Sequence, residues 1–293
     1  MNINWYPGHM AKTKKQIIED LKLIDVVVEL LDARIPLSSQ NPDIAKMIGD
    51  KKRVVVLNKC DLADSIENDK WINHFRKQGI PAVLTDANSG KGIANVVKEI
   101  EKIMEEDLKK QVEKGRVGKR IRVMIMGIPN VGKSSFINRI TKKNSLEVGN
   151  RPGVTKKKQW IRLSSNIELL DTPGVLWPKF ESEEVALHLS YIGSIKDEIL
   201  DKMEVAFFLT KFLLQNYRNL FCNRYQLDET EVQQELEKNQ NENSNILDVM
   251  HMVGRKRGAI VSGGRIDEEK VARLLLDEFR SGKIGKITLE KEG

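Results

Sequence analysis

Two cysteines in 293 residues, Cys60 and Cys222, with no C-x-x-C, leave nothing from which to build a disulfide framework or a cysteine-held zinc module. No uncharged apolar run reaches the ~18 residues of a membrane-spanning helix. The first residues, MNINWYPGHMAKTKKQIIED, lack the apolar central region of a secretory signal, so a cytoplasmic chain is expected. Aromatic residues are scarce, at 5%. That argues against a reader of single strands by base stacking and toward contacts with phosphates or with helical shape. Internal repeats and low-complexity tracts are absent. What is present is an excess of base over acid, 49 Lys and Arg against 42 Asp and Glu, for a net charge of +7. The excess is clustered at Lys12, Lys14 and Lys15, at 114–122, at 156–158 and at 255–257. Those clusters suit a polyanion partner better than net charge alone does. No membrane partner and no DNA partner is expected.

Short β-branched runs at 26–31, 53–57, 81–84 and 121–126 read as buried strands. Helical periods at 40–49, 66–78, 91–112 and 132–141 separate them. Alternation of this kind predicts a mostly parallel sheet covered on both faces. Two further runs, 159–163 and 167–170, flank Ser164-Ser165-Asn166 and predict a hairpin. Beyond Pro178 the texture becomes helical throughout, with segments at 185–191, 199–217, 229–237, 246–253 and 268–280, and a polar loop at 239–245. The expected architecture is therefore an α/β domain over 1–178, with a six-stranded sheet, followed by an all-α domain over 179–293.

Residues 127–134 read Gly-Ile-Pro-Asn-Val-Gly-Lys-Ser, the phosphate-loop pattern G-x-x-x-x-G-K-[ST], between a strand and a helix. The backbone N–H groups of Asn130, Val131, Gly132, Lys133, Ser134 and Ser135 are placed to wrap phosphates at a helix N-terminus. Lys133 reaches the β- and γ-phosphates, and the Ser134 hydroxyl can ligate Mg²⁺. The base is chosen by Asn58-Lys59-Cys60-Asp61, an N-K-x-D sequence at the end of a strand. A carboxylate there accepts the N1–H and N2–H₂ donors of guanine, a pair that adenine does not offer. Asn58 can hold the loop, the Lys59 stem can lie over the base, and Cys60 fills the variable slot. Asp171-Thr172-Pro173-Gly174 ends the strand 167–170. Asp171 can reach Mg²⁺ and the Gly174 amide can sense the γ-phosphate. Thr155, within Arg151-Pro152-Gly153-Val154-Thr155, can close over both. Asp86, Ala87 and Asn88 follow the strand 81–84 and take the place of a further guanine-contacting loop, in a looser form than the usual Ser-Ala-Lys. The guanine motif precedes the phosphate loop, the reverse of the ordinary order, so this P-loop GTPase domain is circularly permuted.

Together Trp5-Tyr6-Pro7-Gly8-His9-Met10, Asp32-Ala33-Arg34-Ile35-Pro36, NKCD, GIPNVGKS, RPGVT and DTPGVLWPKF resemble the RbgA/YlqF family of circularly permuted ribosome-biogenesis GTPases. The resemblance runs the length of the chain, including Ser262-Gly263-Gly264. It implies GTP hydrolysis to GDP and phosphate, a role late in assembly of the bacterial large ribosomal subunit, stimulation by that subunit, and rRNA contact through the helical domain. Permuted relatives with cysteine-rich zinc sites are excluded by the cysteine count.

One departure concerns water. Many GTPases orient the attacking water with a Gln after D-x-x-G, and here that position is Val175. The resemblance points to His9 instead, whose imidazole can orient water near neutral pH. A structural role for His9 in the N-terminal turn stands beside that one. Asn130 resembles the Asn of K⁺-dependent GTPases, with loop shaping as its other role. Arg34 has three roles open to it: an arginine finger in cis, an organiser of the sheet end, or an rRNA contact. Two rival functions also remain, a nucleotide-gated RNA-binding scaffold without catalysis and an ATP-dependent phosphotransferase.

Overall fold

The computed structural model describes residues 9–115, 118–144, 160–170 and 182–292, with residues 9–14 and 142–144 described by backbone alone. The chain divides into two compact units, Met1–Phe180 with Thr288–Gly293, and Glu181–Ile287.

The first unit carries α1 (His9–Leu21), β1 (Val26–Asp32), α2 (Pro42–Ile48), β2 (Lys52–Asn58), α3 (Ser65–Lys77), β3 (Ala82–Leu84), α4 (Ile93–Glu113), β4 (Ile121–Met126), α5 (Lys133–Asn144), β5 (Trp160–Arg162) and β6 (Ile167–Leu170). The six strands lie in the order β3-β2-β1-β4-β6-β5. Every pairing is parallel except β5 with β6, the expected hairpin. β1 is buried at all seven positions, as a central strand covered on both faces must be. Val54, Val55, Val56 and Leu57 of β2 are buried against it. Full burial of such a side chain contributes about 1.5–3 kcal/mol. One cluster packs Leu31, Leu57, Trp71, Phe75 and Ala82 together, and another packs Ile17, Leu21, Val27, Ile44, Met124 and Leu170.

The strand order explains the permutation. From β1 the chain builds outward through β2 to the β3 edge. It then returns through α4 to the middle of the sheet and lays β4 beside β1. From β4 it builds the other way. The sequence direction therefore switches between β1 and β4, the place where open α/β sheets form ligand crevices beyond their strand ends.

The second unit consists of α6 (Glu183–Tyr191), a 3₁₀ turn (Asp197–Ile199), α7 (Lys202–Asn216), α8 (Arg218–Tyr225), α9 (Glu229–Glu237), α10 (Glu242–Lys256) and α11 (Glu268–Arg280). Side chains of Ser182, Asp201, Asp228, Asn241 and Asp267 cap five of these helices by accepting from backbone N–H groups of the first turn. Arg280 of α11 donates to the Ser190 and Tyr191 carbonyls and pairs with Asp197 at 2.9 Å.

Four expectations need correction. Residues 9–21, given no helix by the sequence reading, form α1, which buries Ile17 and Leu21 one turn apart. The single helix expected at 199–217 stops at Tyr217, whose φ of −141° and ψ of 35° lie outside the helical region, and α8 starts at once. The polar loop expected at 239–245 is shorter, because Asn241 is an N-cap and opens α10 at Glu242. The C-terminal domain expected over 179–293 loses its end: Thr288–Gly293 belong to the first unit.

Candidate functional site

Because β1, β2 and β4 run parallel, their C-terminal ends open on one side of the sheet. β4 delivers residues 127–132, β2 delivers Asn58-Lys59-Cys60-Asp61, and β1 delivers Asp32-Ala33-Arg34. Asp32 and Asn58 are register partners at the strand ends. β3 adds the loop from Thr85 to Asn88.

The phosphate loop is close-packed on its neighbours. A Cβ on Gly127 would stand 2.6 Å from the Leu30 carbonyl oxygen of β1. Gly132 has φ +90°, and a Cβ there would stand 2.4 Å from the Asn58 amide nitrogen. Both positions require glycine. Asn130 is also left-handed, at φ +64°, a region that Asn tolerates better than most residues. α5 starts at Lys133, and its ladder opens with the Phe136 N–H donating to the Gly132 carbonyl at 2.9 Å. The Lys133, Ser134 and Ser135 N–H groups belong to the first turn, where the helix dipole favours an anion. Ser134 and Ser135 are exposed.

Asn58 joins three loops. Its amide nitrogen donates to the Val131 carbonyl at 2.8 Å, and its carbonyl oxygen accepts from the Thr85 hydroxyl and the Ala87 N–H, both at 3.1 Å. Lys59, at φ +58°, donates from Nζ to the Asn130 carbonyl at 2.6 Å and pairs with Asp32 at 3.0 Å. The base-reading and phosphate loops are thus locked together by two side chains. Arg139 of α5 donates to the Ala87 carbonyl at 3.2 Å and holds the third loop.

Asp61 is exposed at the loop tip. Partial desolvation and the neighbouring Asp86 push its carboxyl above the usual value. Asp86 is buried, which by itself would raise it. Hydrogen bonds from Ser89 and from the Asn88 N–H, at 2.8 Å, hold it below the usual range. Burial pushes the Cys60 thiol up, so it stays protonated at neutral pH. Asn88 is exposed beside this loop.

Arg34 is buried, at 1% exposure, and its guanidinium meets both oxygens of Asp32 at 2.9 Å. Among the roles left open for it, this arrangement is that of an organiser of the sheet end. Asp32 itself is fully buried; burial opposes its charge, yet Arg34 and Lys59 together hold its carboxyl far below the usual range. Neither motif nor spacing singles out Asp32, Thr85 or Arg139 for these roles. A charge closing the apolar run 26–31 was the available signal for Asp32.

Thr155, Asp171 and Gly174 lie outside the described residues. His9 begins α1, and its side chain is likewise outside them. Among the described residues no group of three or more His, Cys, Asp or Glu is gathered to hold a metal. Ser134, the expected hydroxyl ligand for Mg²⁺, is exposed in the first turn of α5.

Substitution of Gly132 by Ala tests the loop contact. The added Cβ meets a pinned Asn58 amide, and the left-handed backbone costs a further ~1–2 kcal/mol. The expected result is a ~10–100-fold loss of guanine nucleotide affinity by titration calorimetry. Unchanged affinity would mean that the loop relaxes freely.

A phosphate loop tied to an N-K-x-D loop, in a sheet whose order places the second before the first in sequence, defines a circularly permuted P-loop GTPase. Comparison with known proteins agrees. A family model described as 50S ribosome-binding GTPase matches residues 122–252, and one described as RsgA GTPase matches residues 44–181. The chain is 44% identical to the ribosome biogenesis GTPase A of Bacillus cereus, over 99% of this chain and 94% of that protein. It is 31% identical to that of Thermotoga maritima, again over 99% and 94%. The solved structure of GNP-bound YlqF from T. maritima is similar with a TM-score of 0.63 and 27% identity, covering 96% of this chain and 98% of that one. A GDP-bound YlqF gives a TM-score of 0.65 at 26% identity, covering 94% and 98%. The chain belongs to the ribosome biogenesis GTPase A family: it binds guanine nucleotide and hydrolyses GTP in ribosome biogenesis.

Proposed function

We propose that this chain is a cytoplasmic assembly factor that binds the immature large ribosomal subunit through rRNA and hydrolyses GTP as a checkpoint in its late maturation. The observation that carries the nucleotide site is the double tie between loops, Asn58 to Val131 and Lys59 to Asn130. The relatives' names and the basic clusters support the partner.

In this scheme Asp61 accepts the guanine N1–H and N2–H₂ donors, while Asn58 and Lys59 hold the base loop in register with the phosphates. The Asp86, Ala87 and Asn88 N–H groups donate here to the Lys91 carbonyl, the Asn58 side chain and the Asp86 carboxylate, so this loop reaches the guanine carbonyl only by exchanging one of those bonds. The N–H groups of Asn130 to Ser135 and the Lys133 ammonium take the phosphates. Ser134, Thr155 and Asp171 would hold Mg²⁺, which would supply positive charge to the phosphates. The Asn130 side chain would help hold K⁺, which would offset developing negative charge. Thr155 and Gly174 sense the γ-phosphate, and His9 orients the attacking water in place of the Gln that Val175 replaces.

Steady-state GTP hydrolysis is measured in K⁺ and in Na⁺ buffer, alone and with large or small ribosomal subunits. Stimulation by large subunits only, greater in K⁺, is the expected result. His9→Ala should cut the stimulated rate by ~10²-fold or more while GTP affinity is kept. Tight GTP binding without stimulation would favour the nucleotide-gated RNA-binding scaffold. Full stimulated turnover in His9→Ala would remove that residue from the chemistry.

A further inference from the structure

The end of the chain lies on the nucleotide unit as a strap, residues 288–292. It touches two supports of the base-reading loop. On one side the Leu289 N–H donates to the Arg34 carbonyl at 2.8 Å. There the Glu290 carboxylate accepts the N–H groups of Leu37 and Ser38, at 2.6 and 2.9 Å. On the other side the Asp64 N–H donates to the Thr288 hydroxyl at 3.0 Å. The Trp71 indole donates to the Glu290 carbonyl at 2.9 Å, and the Glu292 N–H to the Glu67 carboxylate at 3.1 Å. His74 pairs with Glu292 at 2.9 Å. Thr288 and Leu289 are buried, so the strap is seated and not merely adjacent.

Each support in turn holds the loop. Arg34 fixes Asp32, and Asp32 fixes the Lys59 ammonium. The helix α3, which Asp64 caps, sends the Asn68 amide to the Cys60 carbonyl at 3.0 Å. Asp61 follows directly on these two attachments, at Lys59 and Cys60. Two elements from different parts of the sheet are therefore bridged by one short segment, at the position where a shift of either would move the guanine-reading carboxylate. The strap also begins directly after Ile287, the last residue of the helical unit.

We propose that the C-terminal strap is a positioning element for guanine recognition. It sets how tightly the base is held. The proposal rests on the base pocket assigned above. Glu290 is its central positioning residue, since its carboxylate clamps the 37–38 turn while its carbonyl holds Trp71.

The test uses the full chain, Glu290→Ala, Glu290→Gln, and a chain ending at Ile287. Affinities for GDP, for IDP and for tripolyphosphate are measured well below each protein's melting temperature. IDP lacks the guanine N2 amino group, and tripolyphosphate reports the phosphate loop alone. The expected result for Glu290→Ala and for the shortened chain is GDP affinity down by about tenfold, within the usual range of site-to-site coupling. The preference for GDP over IDP should shrink, and tripolyphosphate affinity should be unchanged. Glu290→Gln, which keeps an acceptor for one N–H, should fall between. GDP affinity and preference unaltered in both Glu290 variants would overturn the proposal. So would a parallel loss of tripolyphosphate affinity, which marks general loosening. A full chain that does not prefer GDP to IDP would instead refute the base pocket itself.

Discussion

Asp61→Asn is expected to lower GTP affinity by about 10²–10⁴-fold and to raise affinity for XTP. The carboxylate offers two acceptor oxygens to the two donors on the guanine edge. A hydrogen bond to a charged group is worth ~1.5–3 kcal/mol, and two are lost or reversed when one oxygen becomes an amide nitrogen. Xanthine carries a carbonyl where guanine carries its amino group, so the new amide donor finds a partner there. The fold should not suffer, because Asp61 is exposed at a loop tip. Competition of GTP, XTP and ATP for a fluorescent nucleotide gives the comparison. Equal GTP affinity in the variant would show that another residue reads the base. The same carboxyl sets a pH dependence. Desolvation and Asp86 raise it, so it is charged at neutral pH but takes up a proton earlier on acidification than an ordinary Asp, near 3.9. The protonated form loses an acceptor. GTP affinity should therefore be flat through neutral pH and decline on acidification, with a midpoint above that ordinary value.

Asp32→Asn should cost about 3–5 kcal/mol of stability, the usual result of removing one partner from a buried ion pair. Arg34 would keep its charge at 1% exposure, and Lys59 would lose the anchor that aims it at Asn130. For a unit of this size that is a fall in melting temperature of roughly 10 °C. Asp32 has a carboxyl depressed by folding, so its stabilisation is present above the unfolded value of ~3.9 and fades as pH falls below it. The deficit of the variant should accordingly be full at neutral pH and shrink in acid. Asp32→Asn combined with Arg34→Met should recover part of the loss, since no charge is then left buried alone. Differential scanning calorimetry of the single and double variants decides the matter. A single variant within ~1 kcal/mol of the parent would mean that Arg34 finds another partner or water.

The two experiments fall on unequally legible parts of the molecule. The role proposed for Asp61 rests on four residues, because guanine recognition needs a carboxylate at a fixed offset from an Asn and a Lys. Asp32 does not. In sequence it is one acid at the end of an apolar run, and its burial follows from β1 lying between β2 and β4. The six strands were readable because an apolar β-branched run between turn residues has few other ways to fold. α1 was missed since its apolar positions, Ile17 and Leu21 among them, are diluted by lysines. The break at Tyr217 and the early start of α10 depend on single caps, which periodicity does not register. The tail ITLEKE carries no helical or strand period of its own. Its order comes from burial of Thr288 and Leu289 and from partners elsewhere in the chain, among them Arg34, Leu37, Ser38, Asp64, Glu67 and Trp71.

Local chemistry is written in neighbouring residues: the phosphate loop, the base-reading loop, the permuted order, the alternation that makes the sheet. Those the sequence by itself determined, because each rests on offsets of a few positions along one backbone. The joining of Asn58 to Val131, the burial of Asp32 with Arg34 and Lys59, and the return of residues 288–292 to the first unit were decided only by the tertiary structure. Each pairs groups distant in the chain or charges that water would otherwise keep apart. Such pairings form only when the packed strands have excluded that water and fixed the distances.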